Sequence, residues 1–213
     1  MIVVLDYGRG NLFSLTQALK LLEVEHRVSA EPNDIDESSA IILPGVGAFG
    51  DAGKELRNRG LFEPLRRYGR DDRPLLGICV GCQLLMTSGI EFGDHEGLDI
   101  IPGTVQRLPS NDPVGGRGTM RIPNVGWRTI RPQRGVLQSS STGSETMQYF
   151  VHSFAPYPTD FAHISATTNF NGHDVPIAVE RGNVLGVQFH LEKSAAAGLR
   201  LLKSVVQRWT KSF

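Results

Sequence analysis

Disulfide chemistry has little to work with in this chain, because its 213 residues include only two cysteines, Cys79 and Cys82. Three positions apart, they cannot staple a framework, and a reducing, cytoplasmic setting is expected. A structural zinc site needs four ligands, so two thiols alone give no reason to expect a metal. An excess of charge of one sign is also missing, with 22 Lys and Arg against 22 Asp and Glu. A neutral chain carries no electrostatic footprint for nucleic acid or an anionic membrane, and neither is an expected partner. No apolar run approaches the roughly 18–20 residues that span a bilayer. The N-terminus, Met1-Ile2-Val3-Val4-Leu5-Asp6, lacks the basic start of a secretion signal and reads as a first strand. There is no internal repeat and no linker that forces a division, so residues 1–213 are expected to form a single domain.

What is present alternates strands with helices in the first half. Ile2–Leu5, His26–Ser29, Ala40–Leu43 and the run into Cys79 read as strands. Leu12, Leu15, Leu19 and Leu22 form a helical stripe behind a candidate N-cap, Asn11, and a second helix is expected near Ala52–Asn58. This order predicts an α/β fold, a central mostly parallel sheet flanked by helices, with ligands at the carboxyl ends of the strands. In the second half, Ser110–Met120 and Ser139–Ser144 read as loops. Thr104–Leu108, Met147–His152, Ala162–Thr167, Ile177–Glu180 and Val184–Phe189 read as strands adding antiparallel to the sheet, before a final helix from about Ser194.

The chemistry centres on Gly77-Ile78-Cys79-Val80-Gly81-Cys82-Gln83. An apolar strand running into a glycine-flanked cysteine, with the helix-like run Gln83–Met86 directly after it, has the layout of a nucleophile elbow. A cysteine at a helix N-terminus is favoured as thiolate. A thiolate nucleophile needs a base, and the base needs an orienter. His190 ends the strand Val184–Phe189, and Glu192 projects to the same side two residues on, so a Cys79–His190–Glu192 triad is available. The spacing of Cys79 and Cys82 also reads as a redox dithiol or half a zinc site, and as a pair able to form a regulatory disulfide. The simpler role for Cys82 is a small core residue. Gly8-Arg9-Gly10 lacks the third glycine and the acidic residue of a dinucleotide loop, so no cofactor is expected. His26, His95, His163 and His173 sit in polar segments and read as surface residues, whereas His152 reads as a possible edge residue.

With these residues in place, the chain resembles the class I (triad) glutamine amidotransferases, a flavodoxin-like α/β fold. The resemblance is carried by Asp6-Tyr7-Gly8 with Gly10-Asn11-Leu12, by Leu43–Gly50, by Gly77–Leu85, by Ile122–Trp127, by Phe150–Ser153 and by Gly186–Ser194. More narrowly, it is similar to the branch whose glutaminase subunits feed a (β/α)8-barrel cyclase that makes imidazole glycerol phosphate and AICAR in histidine biosynthesis. The resemblance implies that Cys79 attacks the side-chain amide of glutamine, and that His190, held by Glu192, protonates the departing ammonia. It implies an oxyanion hole from N–H groups at Val46, Gly47 and Val80, and a glutamine site built from Gln83, Glu91 and the backbone at Ser153 and Phe154. Asn11, Trp127, Tyr149 and Lys193 are the implied contacts with the cyclase in a heterodimer.

Three departures from the family pattern stand out. Leu191 stands where the family has proline, which predicts a looser link between base and orienter. Cys82 replaces a methionine under the elbow. Asn124 and Val125 replace His-Met before Gly126-Trp127, at the expected partner face. That last change leaves open a related branch that supplies ammonia to surface-polysaccharide precursors. A stand-alone cysteine hydrolase and a non-catalytic regulatory subunit are the other readings; the intact triad counts against the latter, and Gln83 against the former.

Overall fold

The computed structural model describes residues 1–110, 121–140 and 146–210. In the first half the order is β1 (Ile2–Leu5), α1 (Leu12–Leu21), β2 (His26–Ser29), α2 (Pro32–Glu37), β3 (Ala40–Gly45), α3 (Phe49–Asn58), α4 (Phe62–Arg70), β4 (Leu75–Cys79) and α5 (Val80–Leu84). Then come β5 (Met86–Gly89), β6 (His95–Glu96), β7 (Ile101–Arg107), β8 (Asn124–Pro132), α6 (Gly135–Ser139), β9 (Thr146–His152) and β10 (Phe154–Pro158). The chain closes with β11 (Ile164–Phe170), β12 (His173–Arg181), β13 (Val184–Val187), a 3-10 turn (Leu191–Lys193) and α7 (Ala195–Thr210).

Nine strands form the main sheet in the order β2-β1-β3-β4-β13-β12-β11-β8-β9, and β10-β7-β5-β6 form a second sheet. Strands β1, β3 and β4 are buried along their whole length and consist almost entirely of aliphatic residues. Such runs suit a parallel sheet covered on both faces. β13 lies parallel to β4, with Val187 opposite Ile78. The parallel block therefore brings the ends of β3, β4 and β13 to one edge.

The alternation expected in the first half is present, and the structure adds α2 and α4 to it. Thr104–Leu108 is part of the second sheet, paired with β10, and does not extend the main one. The helix-like run Gln83–Met86 stops at Leu84. The carbonyls that would continue it go elsewhere, Leu84 O to Leu98 N and Leu85 O to the amides of Ile100 and Ile101. Met86 then opens β5. The loops expected at 110–120 and 139–144 lie largely outside the described residues; residues 135–139 form α6. Among the described residues, no helix is long and apolar enough to cross a membrane.

Candidate active site

Cys79 is both the last residue of β4 and the N-cap of α5, at φ 55° and ψ −112°. A side chain in this region costs roughly 1–3 kcal/mol unless its surroundings hold it. Close packing does so here. A Cβ on Gly81 would lie 1.9 Å from the Leu43 carbonyl oxygen, and one on Gly77 would lie 2.5 Å from that of Gly81. The helix start therefore rests directly on the strand backbone, and the thiol is turned to the sheet edge. Cys82 is a free, fully buried thiol whose pKa is pushed well up by burial and then by Cys79. It packs under Gly186, where a Cβ would meet its sulfur at 2.7 Å. That is the environment of a packing residue.

His190 and Glu192 emerge just beyond β13, beside the elbow. His190 Nδ1 lies 2.7 Å from Glu192 Oε1, and both side chains are almost wholly buried. Burial opposes a charged imidazole. The interaction with Cys79 and then that with Glu192 outweigh it and raise the His190 pKa to about 10. Its Nε2 has no partner at hydrogen-bond distance among the described residues, which leaves it for the sulfur or a substrate. Leu191, in place of the family proline, does not open the pair in this structure. Its side chain is buried, and the turn is tied by Ser194, whose hydroxyl donates to His190 O at 2.6 Å and accepts from Tyr149 N–H at 2.9 Å. Nothing in the residue order singles out Ser194 for this tie.

A cleft of about 260 Å³ is lined by Val46, Gly47, Cys79, Val80, Gln83, Glu91, Pro123, Val151, His152, Ser153, Phe154 and His190. Every residue expected to bind substrate or oxyanion is here, with Glu192 behind His190. Glu91 Oε2 accepts from Phe49 N–H at 2.8 Å, at the start of α3, leaving Oε1 as a further acceptor. Gln83 has both N–H groups engaged, with Phe154 O at 3.2 Å and Gln188 Oε1 at 3.0 Å, so its free end is an acceptor. Val46 differs from the expectation. Its N–H donates to Arg9 O at 2.7 Å and is not available to an oxyanion in this conformation.

Three further side chains reach the site. Gln188, fully buried, places Nε2 3.7 Å from Cys79 Sγ. His152 donates from Nδ1 to Phe154 O at 2.9 Å and accepts at Nε2 from Asn124 at 2.8 Å. Asn124 in turn accepts from Arg128 Nε at 3.0 Å. Gln188 was legible in principle, two residues before His190 on the same strand face.

The residues expected at a partner face lie around the cleft. Trp127 and Tyr149 are paired across β8 and β9, their rings edge to face at 6.1 Å. Val125, Trp127, Met147 and Val151 are exposed on the same outward face, an apolar stripe. Tyr149 O accepts from His190 N–H at 3.0 Å. Asn11 Oδ1 caps α1, which packs against the turn carrying Lys193.

A family model described as "Glutamine amidotransferase class-I" matches residues 3–207. The chain belongs to the class-I glutamine amidotransferase family. It is 41% identical over 204 residues to the "Imidazole glycerol phosphate synthase subunit HisH" of Syntrophotalea carbinolica, covering 96% of this chain and 98% of that one. The protein of the same name from Geobacter sulfurreducens is 40% identical over 203 residues, covering 95% and 96%. Among solved structures, a "Crystal structure of glutamine amidotransferase" superposes with a TM-score of 0.73 at 18% identity, covering 99% of this chain and 100% of that one. "Structure of PurLQS from Thermotoga maritima" superposes with a TM-score of 0.72 at 18% identity, covering 97% of each chain. At that identity the likeness speaks for the fold.

Proposed function

We propose that this chain is the glutaminase subunit of an imidazole glycerol phosphate synthase, in which Cys79, His190 and Glu192 hydrolyse glutamine and the ammonia passes to a (β/α)8-barrel cyclase. The single observation that carries the chemistry is the convergence of an elbow cysteine and a carboxylate-held histidine in one cleft that also holds Gln83 and Glu91. The names of the relatives supply the acceptor.

In this mechanism Cys79 Sγ attacks the side-chain carboxamide carbon of glutamine. The carbonyl electrons move to oxygen, faced by the N–H groups of Val80 and Gly47. His190 Nε2–H protonates the leaving nitrogen, the C–N bond breaks and ammonia departs, leaving a thioester on Cys79. Water then adds, giving a proton to His190, and collapse breaks the C–S bond and frees glutamate. An oxyanion donor is worth about 3–4 kcal/mol, so a Val46 N–H held by Arg9 is expected to slow the free subunit. The apolar stripe around Trp127 is the surface on which the cyclase docks. Residues 1–213 act in it as a single glutamine amidotransferase domain.

Glutamate release is measured with and without the cyclase and its ligand, with Cys79→Ala as control. Release that depends on Cys79 and rises with a histidine-pathway cyclase is expected. No Cys79-dependent release under any pairing overturns the enzyme reading, and activation only by a different acceptor enzyme overturns the histidine assignment.

A further inference from the structure

We propose that Gln188 is a hydrogen-bond donor to the nucleophilic sulfur of Cys79, fixed in that orientation by Gln83 and the Phe154 carbonyl. The proposal rests on Cys79 being the nucleophile.

A glutamine amide offers donors at one end and an acceptor at the other. Which end meets the sulfur decides whether it helps or harms a thiolate. Here the choice is set from a distance. The Phe154 carbonyl can only accept, and Gln83 Nε2 lies 3.2 Å from it. That orients the Gln83 amide, whose second N–H reaches Gln188 Oε1 at 3.0 Å. With Oε1 engaged, Gln188 turns Nε2 to Cys79, 3.7 Å from Sγ. Reversing both amides would set the Gln83 oxygen against the Phe154 oxygen; reversing either alone would oppose like ends between the two glutamines. Gln188 is fully buried and its backbone N–H is tied to Ile177 O at 2.8 Å, so water does not compete for the position.

His190 and Gln188 differ in kind. His190 must hand its proton to the leaving ammonia and takes another from water before the C–S bond breaks. The amide N–H of Gln188 is not transferred and stays in place through the cycle. Its influence falls on Sγ as it attacks and on the step where the thioester breaks. There the C–S electron pair returns to Sγ, the water proton is already on His190, and an N–H facing the sulfur stabilises the leaving thiolate. Gln188 thus touches a reacting atom, and Gln83 acts through it as a positioning residue.

The test is alkylation of Cys79 by iodoacetamide in the intact protein from about pH 5 to about pH 10, with the modified residue located by mass spectrometry. Gln188→Met removes the donor at similar volume. Its rate near neutral pH is expected to fall about tenfold, with the profile displaced to higher pH. Gln188→Glu sets a carboxylate against the sulfur and is expected to fall further. Gln83→Met frees the Gln188 amide to turn and is expected to fall by about threefold. A Gln188→Met protein with parental circular dichroism and melting, and an unchanged alkylation profile, overturns the proposal. Should Gln188→Met not fold, Gln83→Met decides, and a parental profile there overturns it equally. Glutamine takes no part in this assay. Absent glutamate release alongside the expected alkylation changes would therefore count against the glutaminase reading alone.

Discussion

Asn124 Nδ2 lies 2.8 Å from His152 Nε2, a bond that requires the imidazole to be neutral with its proton on Nδ1. The other nitrogen agrees, because Nδ1 faces the Phe154 carbonyl at 2.9 Å. Burial, opposed by that carbonyl and reinforced by the charges of His190 and Arg128, lowers the His152 pKa to about 4. The substitution of asparagine for the family histidine at position 124 thus supplies a donor that is never itself charged.

Acid stability follows from this. Above pH 6.5, the ordinary value, neither folded nor unfolded His152 binds a proton; between 6.5 and about 4 only the unfolded chain does. The contribution is present above pH 6.5 and lost as pH falls towards 4, ~3 kcal/mol in all. Urea unfolding through that window should show the loss in the parent and a flatter response in His152→Gln. Asn124→Leu, which strands Nε2, should cost about 1–3 kcal/mol at neutral pH.

The raised pKa of His190 depends on its neighbours, since burial alone would lower it. Cys79→Ala removes one of the two groups that raise it. Imidazole NMR across pH should therefore find His190 titrating well below 10 in that variant. An unchanged titration would show that Glu192 alone carries the shift.

Backbone strain at Cys79 separates two variants that both lack the thiol. Glycine accepts φ 55° freely and alanine does not. Cys79→Gly should be more stable than Cys79→Ala by about 1 kcal/mol in denaturant unfolding, with glutamate release absent from both.

Leu191→Pro restores the family residue. His190 at φ −93° and ψ 103° already has the extended backbone that a following proline demands, and position 191 opens a 3-10 turn. Reduced chain entropy in the unfolded state offsets part of the lost burial, so stability should change by less than about 1 kcal/mol and activity by less than about twofold. A larger fall in activity would mean that Leu191 has a function of its own.

If the apolar stripe is the partner face proposed above, Trp127→Ala should weaken cyclase binding by about 2 kcal/mol, roughly thirtyfold in Kd, because a half-exposed tryptophan in an apolar stripe is a typical anchor. Calorimetric titration with the cyclase measures it directly.

Much of this site can be read from residue order, because its main parts are local. Gly-x-Cys-x-Gly after an apolar run and His-x-Glu after another are short-range patterns with a geometric meaning. What escaped is long-range. Gln188 matters through Gln83 and Phe154, which are distant in sequence, and no periodicity links them. Asn124 faces His152 through the pairing of β8 with β9, and Pro123 and Gly126 hide that strand in the sequence. Helix α5 is shorter than its sequence implies because tertiary hydrogen bonds from residues 98–101 end it, and nothing in Gln83–Met86 records them. The occupied Val46 N–H is a conformational fact that residue types do not encode.

The β8–β9 ribbon stands between the cleft and the apolar stripe, and it is one layer of backbone thick. Asn124 and His152 face inward from it, while Val125 and Trp127 face out, and Val151, exposed, also borders the cleft. Adjacent codons therefore answer to different masters: one set shapes the cleft that holds Cys79, the other the apolar stripe proposed as the partner contact. A change of acceptor can be explored on alternate positions of two strands without rewriting the hydrolytic machinery behind them. A shift of the ribbon itself, by contrast, moves both surfaces at once.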